Sequence, residues 1–397
     1  MGSSAKPLDG IRVLELARTL AGPWMGQILA DLGADVVKLE RSKVGDETRQ
    51  WGPQFVKDEA GESLFSAYFH ACNRGKRSLE IDFKDAHARQ EIHRLVAGAD
   101  IVIENFKVGT LLRYGLDAKS MLTEHPQLIW CCVTGFGQTG PFASRAAYDF
   151  VIQAASGLMS LNRDVDGAKR VPIPVADLFA GLYGAVGVLA ALNRRHQTGQ
   201  GTVVDISLID TQAAAMSMHL IAHLWDGDAA MQADAHAETL PQLVVETTDG
   251  SVAVVIAGDP QFGRLCTSLN CESLLKNPSF ADAPSRRKNR LALVKELTEL
   301  LHGRTSADLI TRLSSVGVPI ARVNTVAEFF SDPQFKHQEL ITHLAGPPGT
   351  SALLPTVRMP VLFDGIRAIA QRSAPLLGEH NAEILTDPRW SPPPSAP

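Results

Sequence analysis

Cysteine is scarce in this chain. Five residues in 397 (Cys72, Cys131, Cys132, Cys266 and Cys271) make an odd count and form none of the paired spacings that hold zinc. A metal centre is therefore not expected. Cys131 and Cys132, set in an apolar stretch, read as buried free thiols of a reducing, cytoplasmic compartment. Basic excess is also missing. The formal net charge of −5 argues against a nucleic-acid partner, which would call for a clustered positive surface. Long apolar runs are absent too. None reaches the roughly eighteen uninterrupted residues that span a bilayer. The nearest candidate, 178–192, is notched by Gly181, Gly184 and Gly187 and reads as a buried core helix. The first residues show no basic-then-apolar pattern, so neither membrane insertion nor export is expected.

What is present suits a two-domain α/β enzyme. With 45% hydrophobic and 20% charged residues, the chain can bury a large core. Residues 11–16 (IRVLEL) read as a strand, 24–32 as a helix stopped by Gly33, and 35–40 (DVVKLE) as a second strand. That is the order of a parallel βαβ unit. The pattern repeats with strand 78–83, helix 85–97, strand 101–104, and further strands at 128–133 and 202–206. Five or six such strands predict a doubly wound sheet whose ligand site lies beyond the carboxyl ends of the strands. This rule singles out residues 18–22 (RTLAG), Arg41, Asn105, Phe106 and the loop 134–140.

The loop contains Gly135, Gly137 and Gly140 as a literal G-x-G-x-x-G after a strand. Its context is wrong for a dinucleotide fingerprint, because Pro141 and a polar stretch follow where a helix should open. A glycine-rich loop closing over a ligand fits better. The basic residues near strand ends are Arg41, Arg74, Lys76, Arg77 and Arg113. Each alone reads as solvated surface; as a group they have the chemistry to grip phosphates.

Composition shifts near Asp226, where an Ala-rich stretch to 237 reads as a linker. Strands at 243–247 and 251–256 flank a Thr248-Asp249-Gly250 hairpin signal. Helices follow at 260–269, 290–302 and 306–316, with Asn289 and Thr305 placed as N-caps of the last two, then a strand at 319–324. Residues 238–328 thus form a smaller α/β domain between a large domain of 7–225 and its continuation at 335–390. The Pro-rich residues 391–397 read as a disordered tail.

Between Tyr148 and His196 lies the stretch on which function turns. Tyr148 and Asp149 open an apolar helix running to 160, and a Pro-studded segment (VPIPV) then delivers Asp177 to the start of a long apolar helix. Asp177 has two compatible readings there: an N-cap, and a carboxylate kept ionised by the helix dipole and able to act as a covalent nucleophile.

These residues together resemble the class III CoA-transferases, the group that includes formyl-CoA:oxalate CoA-transferase, carnitine CoA-transferase and α-methylacyl-CoA racemase. The resemblance runs from Leu8 to about Leu385. It is carried by residues 8–15 (LDGIRVLE), 21–23 (AGP), 32–41 (LGADVVKLER), 45–49 (GDETR), Asn73, 76–78 (KRS), 104–106 (ENF), 135–141 (GFGQTGP) and 176–178 (ADL). It implies a Rossmann-like large domain with a smaller α/β domain, assembled as an interlocked homodimer. It implies no prosthetic group, with coenzyme A and acyl-CoA as substrates beside a small carboxylic acid. Asp177 then matches the family nucleophile, which passes through an aspartyl anhydride and an aspartyl-CoA thioester, with Tyr148 and Asp149 beside it. The CoA-binding positions fall on Thr19, Leu20, Ala21, Arg41, Lys76, Asn105, Phe106 and Arg113.

Two departures bear on substrate. Oxalate-using members carry a Gln where this chain has Leu20 and a Lys near Ala146. Leu20 donates no hydrogen bond, which points away from oxalate and toward succinate or a slightly longer diacid. In the racemase branch a His stands at the place of Tyr148. A tyrosine titrates near pH ~10, so transfer is favoured over racemisation, with Asp149 as the residue that keeps the racemase alternative open. A non-catalytic nucleotide-binding protein is the third alternative.

Overall fold

A computed structural model of the chain describes residues 6–164, 166–227, 242–256 and 258–390. The expected linker beyond 227 and the tail 391–397 lie outside the described residues. Packing divides the chain into two compact units, Met1–Met216 with Glu339–Pro397, and Ser217–Gln338.

The first unit is built on six parallel strands: β1 (Arg12–Glu15), β2 (Asp35–Arg41), β3 (Arg77–Ile81), β4 (Ile101–Glu104), β5 (Ile129–Thr134) and β6 (Thr202–Ser207). Their order across the sheet is β6-β5-β4-β1-β2-β3. Successive side chains of a strand face opposite ways, so a sheet covered on both faces needs apolar residues at every position. The strands meet that demand. Val13, Val36, Ile101, Ile103 and Cys131 enter one core, under helices α1 (Ala21–Asp31) and the long α5 described below. Leu14, Val37, Val102, Trp130 and Cys132 enter the other, beneath α3 (Ala86–Gly98) and Trp390 near the chain end. This is the doubly wound, Rossmann-like arrangement, and its strand order reverses between β1 and β4.

Helix α1 begins at Ala21, three residues before the expected start, because Pro23 sits in its first turn, where a missing N–H leaves no bond unmade. A short helix α2 (Ala67–Asn73) precedes β3, and α4 (Asp149–Ala155) follows the glycine loop. The helix expected to continue to 160 instead breaks at Gly157, which adopts φ +88°. Helix α5 (Val175–Thr198) is long and apolar enough to cross a membrane by length and composition. In this unit it packs on α1. A Cβ on Gly181 would stand 2.8 Å from the Ala21 carbonyl oxygen, and one on Gly184 would stand 2.9 Å from Met25 Sδ, so the two helices approach at the glycine notches. Phe179, Leu182, Tyr183 and Val186, spaced i, i+3, i+4 and i+7, remain exposed along one stripe of α5.

The second unit holds a three-stranded antiparallel sheet, β7 (Gln242–Thr247), β8 (Gly250–Val255) and β9 (Ile320–Arg322), in that order. Helices α6 (Asp259–Ser268), α7 (Arg290–Leu301) and α8 (Ser306–Ser315) supply Leu265, Leu297 and Leu309 to its core. Thr305 caps α8 by accepting the Asp308 N–H. Asn289 does not cap α7: its amide donates to the carbonyls of Ser279 and Ser285, which tie off the preceding helix. All five cysteines are buried and unpaired.

Candidate active site

A cleft of about 230 Å³ opens at the carboxyl ends of β1 and β4, where the strand order reverses. Arg18, Thr19, Leu20 and Ala21 enter it from β1 and α1, Asn105, Phe106 and Lys107 from β4. Gly135, Arg145 and Tyr148 come from the loop after β5, and Asp177 from α5.

The first wall is stapled together by side chains. Asn105 takes both backbone groups of Arg18, accepting its N–H at 2.9 Å and donating to its carbonyl at 2.7 Å. Glu104 accepts the Phe106 N–H at 2.7 Å, which turns the Phe106 ring under the Arg18 guanidinium, 5.7 Å from its centroid. Thr19 is held at φ +72°, a costly conformation for a β-branched residue. Its N–H reaches both Asp46 oxygens (3.3 and 3.2 Å), and its hydroxyl donates to Glu47 at 2.9 Å.

Asp177 is not the N-cap of α5. Pro174 holds that place, and Asp177 is the third residue of the helix. The cap comes from elsewhere: Asp149 accepts the Ala176 N–H at 2.8 Å on one oxygen and the Gln153 amide at 2.7 Å on the other. Gln153 in turn holds the extended segment before α5, accepting the Val171 N–H at 2.9 Å. Asp149 is therefore buried and committed to structure, and it is absent from the cleft walls. Asp177 is half-buried on the cleft wall, and among the described residues no hydrogen bond to its carboxylate is found. Burial first, and then the Asp149 charge, push its carboxyl up to about 7. This reverses the expectation that the helix end keeps it readily ionised. The dipole is partly neutralised by Asp149, and desolvation outweighs what remains. Tyr148, 54% exposed, shares the wall.

The expected phosphate-binding cations separate into two fates. Lys76 is fully buried and lies off the cleft. Its ammonium meets Glu15 at 2.8 Å, the Pro23 carbonyl at 2.9 Å and Asn73 at 2.8 Å, which uses all three donors and leaves none for a phosphate. Arg74 and Arg77, expected at the surface or on phosphates, are buried on Asp31 and Asp35. Arg41 and Arg113 are exposed, without an ion pair among the described residues, and stand outside the cleft walls. In their place the cleft gathers Arg18, which the strand-end rule singled out without a phosphate role, and Lys107 and Arg145, which the sequence reading did not select. Arg18 and Lys107 each lie within three residues of a sheet strand's carboxyl end, a signal available from the strand-end rule. Arg145 carries no such mark.

The glycine loop folds as bends and turns, with no helix opening directly after Gly140. Gly137 and Gly140 take φ +89° and +96°, and a Cβ on Gly135 would stand 2.2 Å from that of Ala147, so the two ends of the loop touch. Among the described residues, no three His, Cys, Asp or Glu side chains group to hold a metal ion.

Comparison with known proteins gives the chain its family. The succinate–glutarate CoA-transferase of Agrobacterium fabrum is 40% identical, covering 98% of this chain and 97% of its own. The human succinyl-CoA:glutarate CoA-transferase is 33% identical, covering 97% of this chain and 86% of its own. A crystal structure of a CaiB/BaiF family protein from Brucella suis superposes with a TM-score of 0.82 at 42% identity, over 96% of this chain and 99% of that one. Residues 8–381 match CoA-transferase family III. With the family match spanning both units and the relatives covering nearly the whole chain, the chain belongs to CoA-transferase family III.

Proposed function

We propose that this CoA-transferase moves CoA between small dicarboxylic acids of the succinate and glutarate class, through covalent intermediates on Asp177. The observation that carries the proposal is Asp177 itself. It is a half-buried carboxylate at the strand-reversal cleft, free of hydrogen bonds among the described residues and titrating near neutrality. The diacid class is supported by the names of the relatives and by Leu20, a buried apolar side chain at the cleft.

In the proposed cycle the Asp177 carboxylate attacks the thioester carbonyl of the donor, the C–S bond breaks, and CoA leaves as its thiolate. The thiolate attacks the Asp177 carbonyl of the resulting anhydride, releasing the donor acid as a carboxylate. The acceptor carboxylate then attacks the aspartyl-CoA thioester, its C–S bond breaks to expel the CoA thiolate, and a second anhydride joins Asp177 to the acceptor. The returning thiolate takes the acceptor acyl group and restores Asp177. No proton is gained or lost across the cycle, and no prosthetic group is required. Arg18 and Lys107 serve the phosphates of CoA at the cleft, with Arg41 and Arg113 outside it, and Phe106 offers an apolar wall. The racemase alternative needs a second proton-transfer group beside Asp177. Asp149, the residue the sequence offered for that role, is occupied by Ala176 and Gln153 and does not line the cleft.

The apolar stripe Phe179, Leu182, Tyr183 and Val186 is covered in this proposal by a second copy of the chain, in the interlocked dimer that the family resemblance implies. Sedimentation of the purified protein as a concentration-independent monomer would remove that element. The five buried unpaired thiols support a reducing, cytoplasmic setting.

The test of the mechanism is trapping. Incubation with succinyl-CoA and hydroxylamine is expected to leave a hydroxamate on the peptide containing Asp177, and none in Asp177→Ala. Full glutarate-dependent turnover without that adduct would overturn the covalent route.

A further inference from the structure

We infer that Arg145 reads the second carboxylate of the dicarboxylate substrate, an inference that rests on the proposed diacid transfer at this cleft. When one carboxyl of a diacid is joined to Asp177, the other remains an anion inside a cleft that already holds Glu47. An anion left unpaired there is unfavourable, so a cation has to meet it. Three cations line the cleft. Arg18 and Lys107 flank Phe106 on the wall formed by the β1 and β4 ends. Arg145 belongs to the other wall, three residues before Tyr148, on a segment tied to the start of α5 by the bond from Ala176 to Asp149. It therefore shares a wall with the nucleophile.

Its side chain is also held ready. The Arg145 guanidinium lies 3.7 Å from the centroid of the Phe142 ring. Phe142 meets Phe136 edge-on at 5.7 Å, and Phe136 packs on the sheet core. A guanidinium stacked on a ring has its plane fixed while its edge N–H groups stay free, and that edge matches a carboxylate with two parallel hydrogen bonds. No carboxylate of the chain pairs with Arg145 among the described residues, although the side chain is exposed and charged. Lys107, a point charge on a flexible stem, lacks this directionality.

The experiment uses succinyl-CoA as donor and compares two acceptors of equal chain length, glutarate and valerate, which differ only in the second carboxylate. The wild-type protein is expected to prefer glutarate. In Arg145→Met the ratio of kcat/KM for glutarate to that for valerate is expected to fall roughly ten- to a hundredfold, the worth of a charge-assisted pair. Arg145→Lys, which keeps charge but loses the fork, should fall less. If valerate turnover is below detection, the inhibition constants of the two acids give the same ratio. An unchanged ratio in Arg145→Met overturns the inference. So does an equal loss for both acids with a raised KM for succinyl-CoA, which would assign Arg145 to CoA. The Asp177 hydroxamate separates the two levels: its formation in wild type and variant upholds the transfer proposal whatever the ratio does.

Discussion

Lys38, Lys76, Arg74 and Arg77 carry the same charges as Arg18, Lys107 and Arg145, yet the two groups live oppositely. Every member of the first group is buried and meets an acid supplied by the chain: Glu15 and Asp46 for Lys38, Glu15 for Lys76, Asp31 and Asp35 for the arginines. No member of the second meets an acid among the described residues, and all three line the cleft. The difference teaches where an anionic ligand can bind. A cation paired at home is a structural part, and only one left without a partner can recognise a substrate. The buried group still matters to the site. Asp46 both neutralises Lys38 and holds Thr19 in its left-handed conformation, so the ion-pair network sets the floor on which the cleft wall stands.

The largest effect should come from Asp177, the cleft carboxylate to which no hydrogen bond is found among the described residues. Asp177→Ala is expected to lower transfer by several decades, as loss of a nucleophile does, without lowering the thermal transition, since the buried carboxylate adds no stability at neutral pH. A purified variant that keeps more than a few per cent of turnover would contradict the assignment. Next is the paired group. Lys76→Met leaves the buried Glu15 with Lys38 alone and should destabilise the fold by about 3 kcal/mol, near the lower end for breaking a buried pair. A lowered thermal transition checks it. CoA affinity lost at full thermal stability would instead return Lys76 to the cleft.

A smaller effect belongs to the unpaired rim. Lys107→Met should leave thermal stability unaltered, weaken CoA binding by about tenfold or less, and flatten the salt dependence of the dissociation constant. The smallest concerns Asp149, whose charge is the lesser cause of the raised Asp177 value, after burial. Wild-type kcat/KM should rise with pH through about 7 as Asp177 ionises. In Asp149→Asn the limb should move to lower pH by less than the full displacement, because burial persists. Stability follows the opposite direction from activity. From the ordinary value of 3.8 up to about 7 the unfolded chain releases a proton that folded Asp177 keeps, so this group's contribution falls as pH rises through that window and levels above it. An acid limb that fails to move in Asp149→Asn would show that its charge does not reach Asp177.

The sheet was legible because its signal is local. Each buried strand is an uninterrupted apolar run, and the βαβ order repeats within short stretches. The post-strand loops followed from the strand-end rule, which located Thr19, Leu20, Asn105 and Phe106 on the cleft. Lys76 was illegible for the converse reason. In the run Asn73-Arg74-Gly75-Lys76-Arg77 it looks like a solvated basic cluster, and its partner Glu15 is 61 residues away. The role of Asp149 was hidden likewise. A carboxylate 27 positions before Ala176 caps the helix on which Asp177 rides, so the spacing that made Asp177 resemble a cap was misleading. Arg145 shows its place only once the glycine loop is folded back.

That folded loop carries a consequence for how such an enzyme can change. Gly135 and Ala147 press against each other, and the Gly135 carbonyl accepts the Ile209 N–H at 3.1 Å. The span between them is a closed excursion, anchored at its neck and free of sheet register. Changing the length of such an excursion adds little closure entropy, and loops at this position are where recognition residues gather. Acid preference is thus written on a segment that can be exchanged while the strand order, the buried ion pairs and Asp177 stay as they are. Grafting residues 136–146 from a relative with a different acid appetite is the natural route to a transferase with altered taste. A bulkier residue at Gly135 would jam the neck and spoil every such graft at once.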